Sequence, residues 1–221
     1  MILNEALAEF VGAFIGDGCM SQFLKKGRTK KSTTLLFTGG WDKDSDYYIT
    51  IIKPISEKHF QTSVRVYHRL DDNSVRCFVN GSKVIDFLHS LGYTFGKKST
   101  TVFIPSTIYA DTDLSIACLR GIFNMDGSIY QRYSKRYRNH PKHYNHYKVI
   151  QFTSNSKQLL LQIKQILEKL SIPSNKIIPD KDSFNLRITN QQDIELFLTT
   201  VKMNHQYHIQ RIRNISGSCG I

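Results

Sequence analysis

The sequence is short of the features that commit a chain to a membrane, an oxidising compartment or disorder. No stretch of its 221 residues approaches the ~20 consecutive apolar positions that span a bilayer. The opening residues, MILNEALAEF, carry acid and no base, so neither a secretory leader nor an arginine-rich transit peptide is expected there. Cysteine is sparse: Cys19, Cys77, Cys118 and Cys219 form no CxxC pair and no zinc-like spacing. Free thiols in a reducing setting follow, cytoplasmic or nucleoid-associated. Acidic residues are also scarce, 18 against 30 Lys plus Arg, a formal net charge of +12. Such a balance points to a polyanionic partner. Nucleic acid is favoured over a membrane surface, because the basic residues sit on strand-like segments and not on one amphipathic helix.

What is present is a pattern that occurs twice. Asn4 can cap a helix with Leu7, Phe10, Val11, Phe14 and Ile15 at helical spacing, ended by Gly16-Asp17-Gly18. A basic turn, KKGRTKK, then joins two strands, the second over 34–38. A helix is expected over 44–59, kinked or shortened at Pro54. Strands at 62–70 and 74–80 flank the hairpin turn Asp71-Asp72-Asn73, and a short helix over 82–91 ends at Gly92. The pattern restarts with Asp113 as cap of a helix ended by Asp126-Gly127. A basic aromatic segment leads into a strand over 148–153. Asn155 or Ser156 caps an amphipathic helix with Leu159, Leu160, Ile163, Ile166, Leu167 and Leu170 on one face. Two short strands, a helix over 191–201 and a basic helix over 205–215 complete the second half.

The landmarks recur at nearly one offset: Asp17 to Asp126 is 109, Phe87 to Phe197 is 110, and Phe37 to Phe152 is 115. An internal duplication follows. The expected organisation is an N-terminal lobe over 1–98, a connection over 99–112 lying across the body, and a C-terminal lobe over 113–221.

The repeated helices end in FVGAFIGDG (Phe10 to Gly18) and LRGIFNMDG (Leu119 to Gly127). Gly12 and Gly121 lie mid-helix, where glycine costs about 1 kcal/mol relative to alanine. Close approach of the two helices would offset that cost. Their C-terminal ends would then converge and set Asp17 beside Asp126. Two carboxylates at the unfavourable dipole end of two helices call for a cation, and hard oxygen ligands suit Mg2+.

With two such nonapeptides, one per half, the chain resembles the two-motif, monomeric LAGLIDADG homing endonucleases. That resemblance implies an α+β fold of two pseudo-symmetric αββαββα lobes. Each lobe presents an antiparallel β-sheet saddle to DNA, and the lobes join at the paired motif helices. It implies a site-specific endonuclease that cuts both strands of a long asymmetric duplex with divalent metal, two or more Mg2+ ions for which Mn2+ can substitute. An RNA-binding intron maturase and a non-cleaving DNA-binding protein of the same fold are the alternatives. Asp17 and Asp126 would hold metal together with the carbonyls of Gly16 and Met125, and Asn155 would order water. A catalytic lysine is implied near the end of each lobe. The first half offers Lys97 and Lys98, with Lys98 favoured. The second offers Tyr207 and His208 in that register, leaving Lys202 or His208 as a substitute. The resemblance favours an archaeal-type host over an organelle.

The strands supply candidate DNA contacts. Arg65, Tyr67 and Arg69 alternate with Val64, Val66 and His68, so one face is polar, and Arg76 faces the same way from the neighbouring strand. Lys30, Lys31, Arg132, Lys135, Arg136, Arg138 and Arg187 extend the basic set. A strand of about eight residues reaches ~27 Å, roughly eight base pairs of duplex. His140, His143 and His146, at regular threes beside Pro141, read better as a hairpin tip on DNA than as a metal site.

Overall fold

A computed structural model of the chain describes residues 2–24, 27, 29, 31–96, 98–132 and 147–217. Its first lobe runs α1 (Glu5–Asp17), β1 (Gly18–Leu24), β2 (Lys31–Gly40), α2 (Trp41–Tyr47), α3 (Lys53–Phe60), β3 (Val64–Arg69), β4 (Ser74–Asn80) and α4 (Ser82–Ser90). A short α5 (Ser106–Tyr109) lies in the connection. The second lobe runs α6 (Thr112–Asp126), β5 (Gly127–Gln131), β6 (Lys148–Ser154), α7 (Lys157–Lys169), β7 (Ile178–Asp180), β8 (Ser183–Ile188), α8 (Gln191–Val201) and α9 (Gln206–Gly217). Each lobe holds one antiparallel four-stranded sheet, ordered β1-β2-β4-β3 and β5-β6-β8-β7.

The motif helices form the spine. The Asn4 side chain accepts from Leu7 N at 3.0 Å and so caps α1. Asp111, not the expected Asp113, caps α6, accepting from Leu114 N at 2.9 Å. Asp113 instead lies in the first turn, where an acidic side chain favours the helix dipole. A Cβ on Gly12 would run into the Cys118 carbonyl, and one on Gly121 into the Glu9 carbonyl. The two backbones therefore touch. Leu7, Phe10, Val11, Phe14, Leu119 and Phe123 fill the flanking core and are fully buried.

The helix expected over 44–59 differs most from what the sequence suggests. Strand β2 continues through Gly39 and Gly40, and the helix starts at Trp41. A π-helical turn, Tyr48–Ile52, separates α2 from α3. Pro54 follows directly on this turn. Tyr47, Tyr48, Ile52 and Lys53 keep right-handed helical dihedrals, so the helical run continues from 41 to 60. Its hydrogen-bond register changes just ahead of the proline, which can donate no i−4 bond of its own. The π turn places Tyr47 and Tyr48 on one buried side, and both are fully buried.

Ser156, not Asn155, caps α7, accepting from Leu159 N at 3.2 Å. The connection is fixed to this same helix. Ile104 N donates to Gln162 Oε1 and Gln162 Nε2 donates to Ile104 O, each at 2.8 Å. Ser156 Oγ also donates to Val102 O at 2.8 Å.

Placing a methyl group between two touching backbones forces them apart. Gly121→Ala is expected to destabilise the protein by about 1–3 kcal/mol, the usual cost of overpacking a filled core. Denaturant unfolding with an unchanged m-value measures this, and an unaltered midpoint would show that the helices do not meet at Gly121.

Candidate functional site

Helices α1 and α6 deliver their last residues to one place. A Cβ on Gly16 would lie 2.5 Å from Met125 Cβ and 3.6 Å from Asp126 Cγ. Met125 fills the space that a side chain at 16 would need, which explains why the two motifs differ there. The Asp17 carboxyl is raised to about 7 by burial first, then by Asp126 and Asp44, with Lys98 pulling the other way. Asp126 opens onto the cleft between the lobes, yet the cleft walls displace enough water to raise its carboxyl, again against the pull of Lys98. The cleft measures about 460 Å³ and is lined by Gly16, Gly18, Lys98, Asp126, Ser154 and Asn155, among others. Among the described residues no three His, Cys, Asp or Glu side chains gather as a metal cage. Two carboxylates are a fitting set for an ion that takes its remaining oxygens from backbone, water and phosphate.

Lys98 reaches into this cleft. Its Nζ donates to Ile15 O at 2.6 Å and to Gly16 O at 2.9 Å, satisfying carbonyls left open at the end of α1. The Gly16 carbonyl, implied as a metal ligand, is thus shared with this ammonium. Burial lowers the Lys98 amine, while Asp126 and Asp17 hold it up. Lys97 lies outside the described residues.

In the second lobe the corresponding place is taken by His208. Lys98 to His208 is 110 residues and Ile15 to Asn124 is 109, and His208 Nε2 lies 3.3 Å from Asn124 O. A carbonyl only accepts, so Nε2 carries the proton. His208 is pushed down to about 4 by burial first and then by His205, so its ring is neutral near pH 7. Tyr207 turns away and its hydroxyl accepts from Arg211 at 3.0 Å. Lys202 is exposed at the left-handed cap of α8.

Asn155 is exposed on the cleft beside Asp126. By the 115 offset its first-lobe counterpart is Gly40, which has no side chain. Asp44 occupies that place instead: its Oδ2 accepts from Gly40 N at 2.7 Å, and a Cβ on Gly39 would run into it. Asp44 Oδ1 also pairs with His205 Nε2 at 3.3 Å. Sequence reasoning missed Asp44. Paired glycines ahead of an acidic residue, where a strand gives way to a helix, are the trace it leaves.

A buried polar seam between the lobes was also missed. Glu9 pairs with Arg120 of the facing helix at 3.4 Å. It accepts from Tyr47 Oη at 3.1 Å and from Asn204 Nδ2 at 2.7 Å. Asn124 Nδ2 donates to Asn204 Oδ1 at 2.7 Å. His205 stacks on Tyr47 with ring centres 5.0 Å apart.

The expected DNA contacts divide. Tyr67 pairs with Arg76 and Arg65 with Phe78 across β3 and β4, so Arg65, Tyr67, Arg69 and Arg76 share the open face. Tyr67 stacks on Phe78 at 5.6 Å. The Arg69 guanidinium bonds Asp71 and Asp72 of its own hairpin turn, which offsets its charge. Lys31, exposed at the start of β2, has the alternation of Leu35 and Phe37, the core-side set. Arg187 lies on the open face of the second sheet, and Arg132 is exposed just beyond β5. Lys30, Lys135, Arg136, Arg138 and the three histidines at 140, 143 and 146 lie outside the described residues.

Residues 113–202 match the family model of a LAGLIDADG-like domain. The replication factor C small subunit of Methanocaldococcus jannaschii is 26% identical over 223 residues, covering 96% of this chain and 10% of that protein. The chain thus spans about a tenth of the length of that relative. The structure of I-DmoI in complex with DNA and Mn superposes with a TM-score of 0.62 at 17% identity, covering 91% of this chain and 98% of that one. The complex of I-DmoI with DNA and Ca gives 0.62 at 15% identity, covering 89% and 88%. Full-length DUF199/WhiA from Thermatoga maritima gives 0.56 at 17% identity, covering 98% and 61%. At such identities the likeness is one of fold: two lobes of helices and antiparallel sheets, arranged as in the homing endonuclease I-DmoI.

Removing Glu9 would leave the Arg120 guanidinium, 18% exposed, without its carboxylate. Glu9→Ala is expected to cost about 3–5 kcal/mol, as for a buried pair deprived of one partner. Chemical denaturation measures it, and a loss below about 1 kcal/mol would show that Arg120 resolvates freely.

Proposed function

We propose that this chain, whose second half matches a LAGLIDADG-like domain, is a two-motif LAGLIDADG protein and a site-specific endonuclease that cuts both strands of a long, asymmetric DNA duplex. The observation that carries the reading is the convergence of Asp17 and Asp126 at the ends of two helices whose backbones touch. A repulsive carboxylate pair costs stability, and a binder that never cuts has no use for it. That argument sets the endonuclease ahead of an RNA-binding maturase or a non-cleaving DNA-binding protein. The fold does not decide among them, since proteins bearing other names share it.

Asp17 and Asp126 would hold the divalent ions, two or more, with the Gly16 and Met125 carbonyls beside them. When bound, Mg2+, or Mn2+ in its place, supplies positive charge at the attacking and departing oxygens of a phosphodiester. Asn155 orients water at the Asp126 side of the cleft. Lys98 places a fixed cation near one scissile phosphate, where it offsets developing charge. The open faces of the two sheets, with Arg65, Tyr67, Arg76, Arg132 and Arg187, hold and read the duplex. One chain holds both half-sites, so the working unit is a monomer.

Asp17→Asn and Asp126→Asn are each expected to abolish double-strand cutting while leaving duplex affinity nearly intact, because each removes ligand charge and little contact area. Gel retardation beside cleavage assays in Mg2+ separates the two, and full cutting by either variant would overturn the assignment. A neutral His208 opposite Lys98 predicts unequal strand rates. A nicked intermediate should accumulate on supercoiled plasmid, and Lys98→Ala should slow one strand far more than the other. Time courses with each strand end-labelled check this; equal slowing of both strands would show that Lys98 serves neither half-site in particular.

A further inference from the structure

The open face of the second sheet carries a chain of hydrogen bonds whose direction is fixed at both ends. It starts at the Asp180 carboxylate, which accepts from Asn185 Nδ2 at 3.0 Å. That contact turns Asn185 Oδ1 toward Gln151, whose Nε2 donates to it at 3.1 Å, and Thr153 Oγ1 donates to the same oxygen at 2.7 Å. Gln151 Oε1 must then face the other way. It accepts from Arg187 Nε at 2.7 Å and from Tyr130 Oη at 3.1 Å. A carboxylate only accepts and a guanidinium only donates, so neither amide in between can flip without breaking two bonds. The Arg187 guanidinium is therefore held by its Nε edge. Its two terminal nitrogens make no hydrogen bond to the described residues. A hollow of about 280 Å³ adjoins Arg187, bordered by Tyr130, Arg132, Lys176 and Ile178 among others.

The fold does not demand this arrangement. The first lobe's counterparts of Gln151 and Arg187, by the offsets of 115 and 109, are Leu36 and Phe78, an apolar pair in register, with Tyr67 stacked on Phe78. The sheet forms equally well with no donors there. Strand β8 lies inside its sheet, between β6 and β7. A saddle laid in the major groove brings its inner strands to base edges and its margins to phosphates. A phosphate contact needs charge and tolerates a swinging side chain, whereas a base edge needs a guanidinium fixed in one plane.

We propose that Arg187 is a base-reading residue that donates its two terminal N–H groups to O6 and N7 of one guanine in the duplex, with Gln151 as the residue that positions it. The proposal rests on the duplex recognition argued above. It gives the second half-site a required guanine, while the equivalent place in the first half-site, faced by Leu36, Phe78 and Tyr67, takes an apolar contact such as a thymine methyl.

Duplexes retained by the full chain from a randomised pool are sequenced, and the same selection is run with Arg187→Lys, Arg187→Ala and Gln151→Leu, each checked for an unchanged melting temperature. The wild type should require guanine at one position of one half-site, any other base there weakening binding about 5- to 150-fold, as for a bidentate arginine contact. Arg187→Lys should keep the salt dependence of binding and weaken, without erasing, the preference at that position alone. Arg187→Ala should lose that preference, and Gln151→Leu should blunt it. Uniform weakening of all duplexes by Arg187→Ala, with a shallower salt slope, would make Arg187 a phosphate contact and overturn the proposal. An unaltered preference in Arg187→Ala would overturn it as well. Failure of the wild type to enrich any duplex would overturn the proposed function, and this inference with it.

Discussion

Two helix backbones in van der Waals contact set the geometry of the rest of the molecule. Because Gly12 and Gly121 admit no side chain between α1 and α6, the helix ends are held within a few ångströms of each other. That distance decides what Asp17 and Asp126 can do. Further apart, each would be an ordinary carboxylate ending a helix. At this separation burial raises both carboxyls and Asp126 raises Asp17 further, so the site is poised for positive charge. Lys98 supplies part of it from within the chain. The same contact fixes the angle between the sheets, since each begins one residue after its motif aspartate.

The sequence displayed the skeleton because its signals are local and repeated. Helical spacing, glycine after aspartate and the alternation of β3 and β4 each lie within a few residues, and the duplication lets one half check the other. Strand β4 and helix α8 fall on the residues that periodicity assigns. Legibility failed where a residue's role depends on a distant partner. Asp44 reads as a solvated helix residue until Gly40 and His205 are beside it, and Glu9 reads as a surface acid on α1 until Arg120 and Asn204 close around it. Pro54 marked a disturbance in the helix at 48–52, but not its form, because β-branched and aromatic residues there suit several backbones. His208 is an intermediate case. Its register was readable from the offset, but its burial, which decides its charge, was not.

The duplication has been kept in backbone and relaxed in side chains. Both lobes present a helix end, a hairpin and a sheet in matching order, yet the side chains at the cleft and on the open sheet faces have separated: Lys98 against His208, Asn155 against Gly40 with Asp44, Gln151 and Arg187 against Leu36 and Phe78. The paired glycines cannot separate in this way, because a change at either one displaces both helices. Strict symmetry is thus confined to the spine, and the cleft and the open sheet faces are free to differ between the two lobes.

The seam around Glu9 also bears on when the site comes into being. Asn204 meets Glu9 across 195 residues of chain, and His205 and His208 arrive later still. A nascent chain that has emerged as far as α8 already contains both aspartates. Glu9 then has Arg120 and Tyr47, but Glu9 and Asn124 both still lack Asn204, and Tyr47 has no ring to stack on. Contacts of such long sequence separation form late and slowly. The turn between α8 and α9 therefore acts as a keystone in time as well as in space: until Asn204 and His205 emerge, the acidic pair sits beside a seam only partly closed.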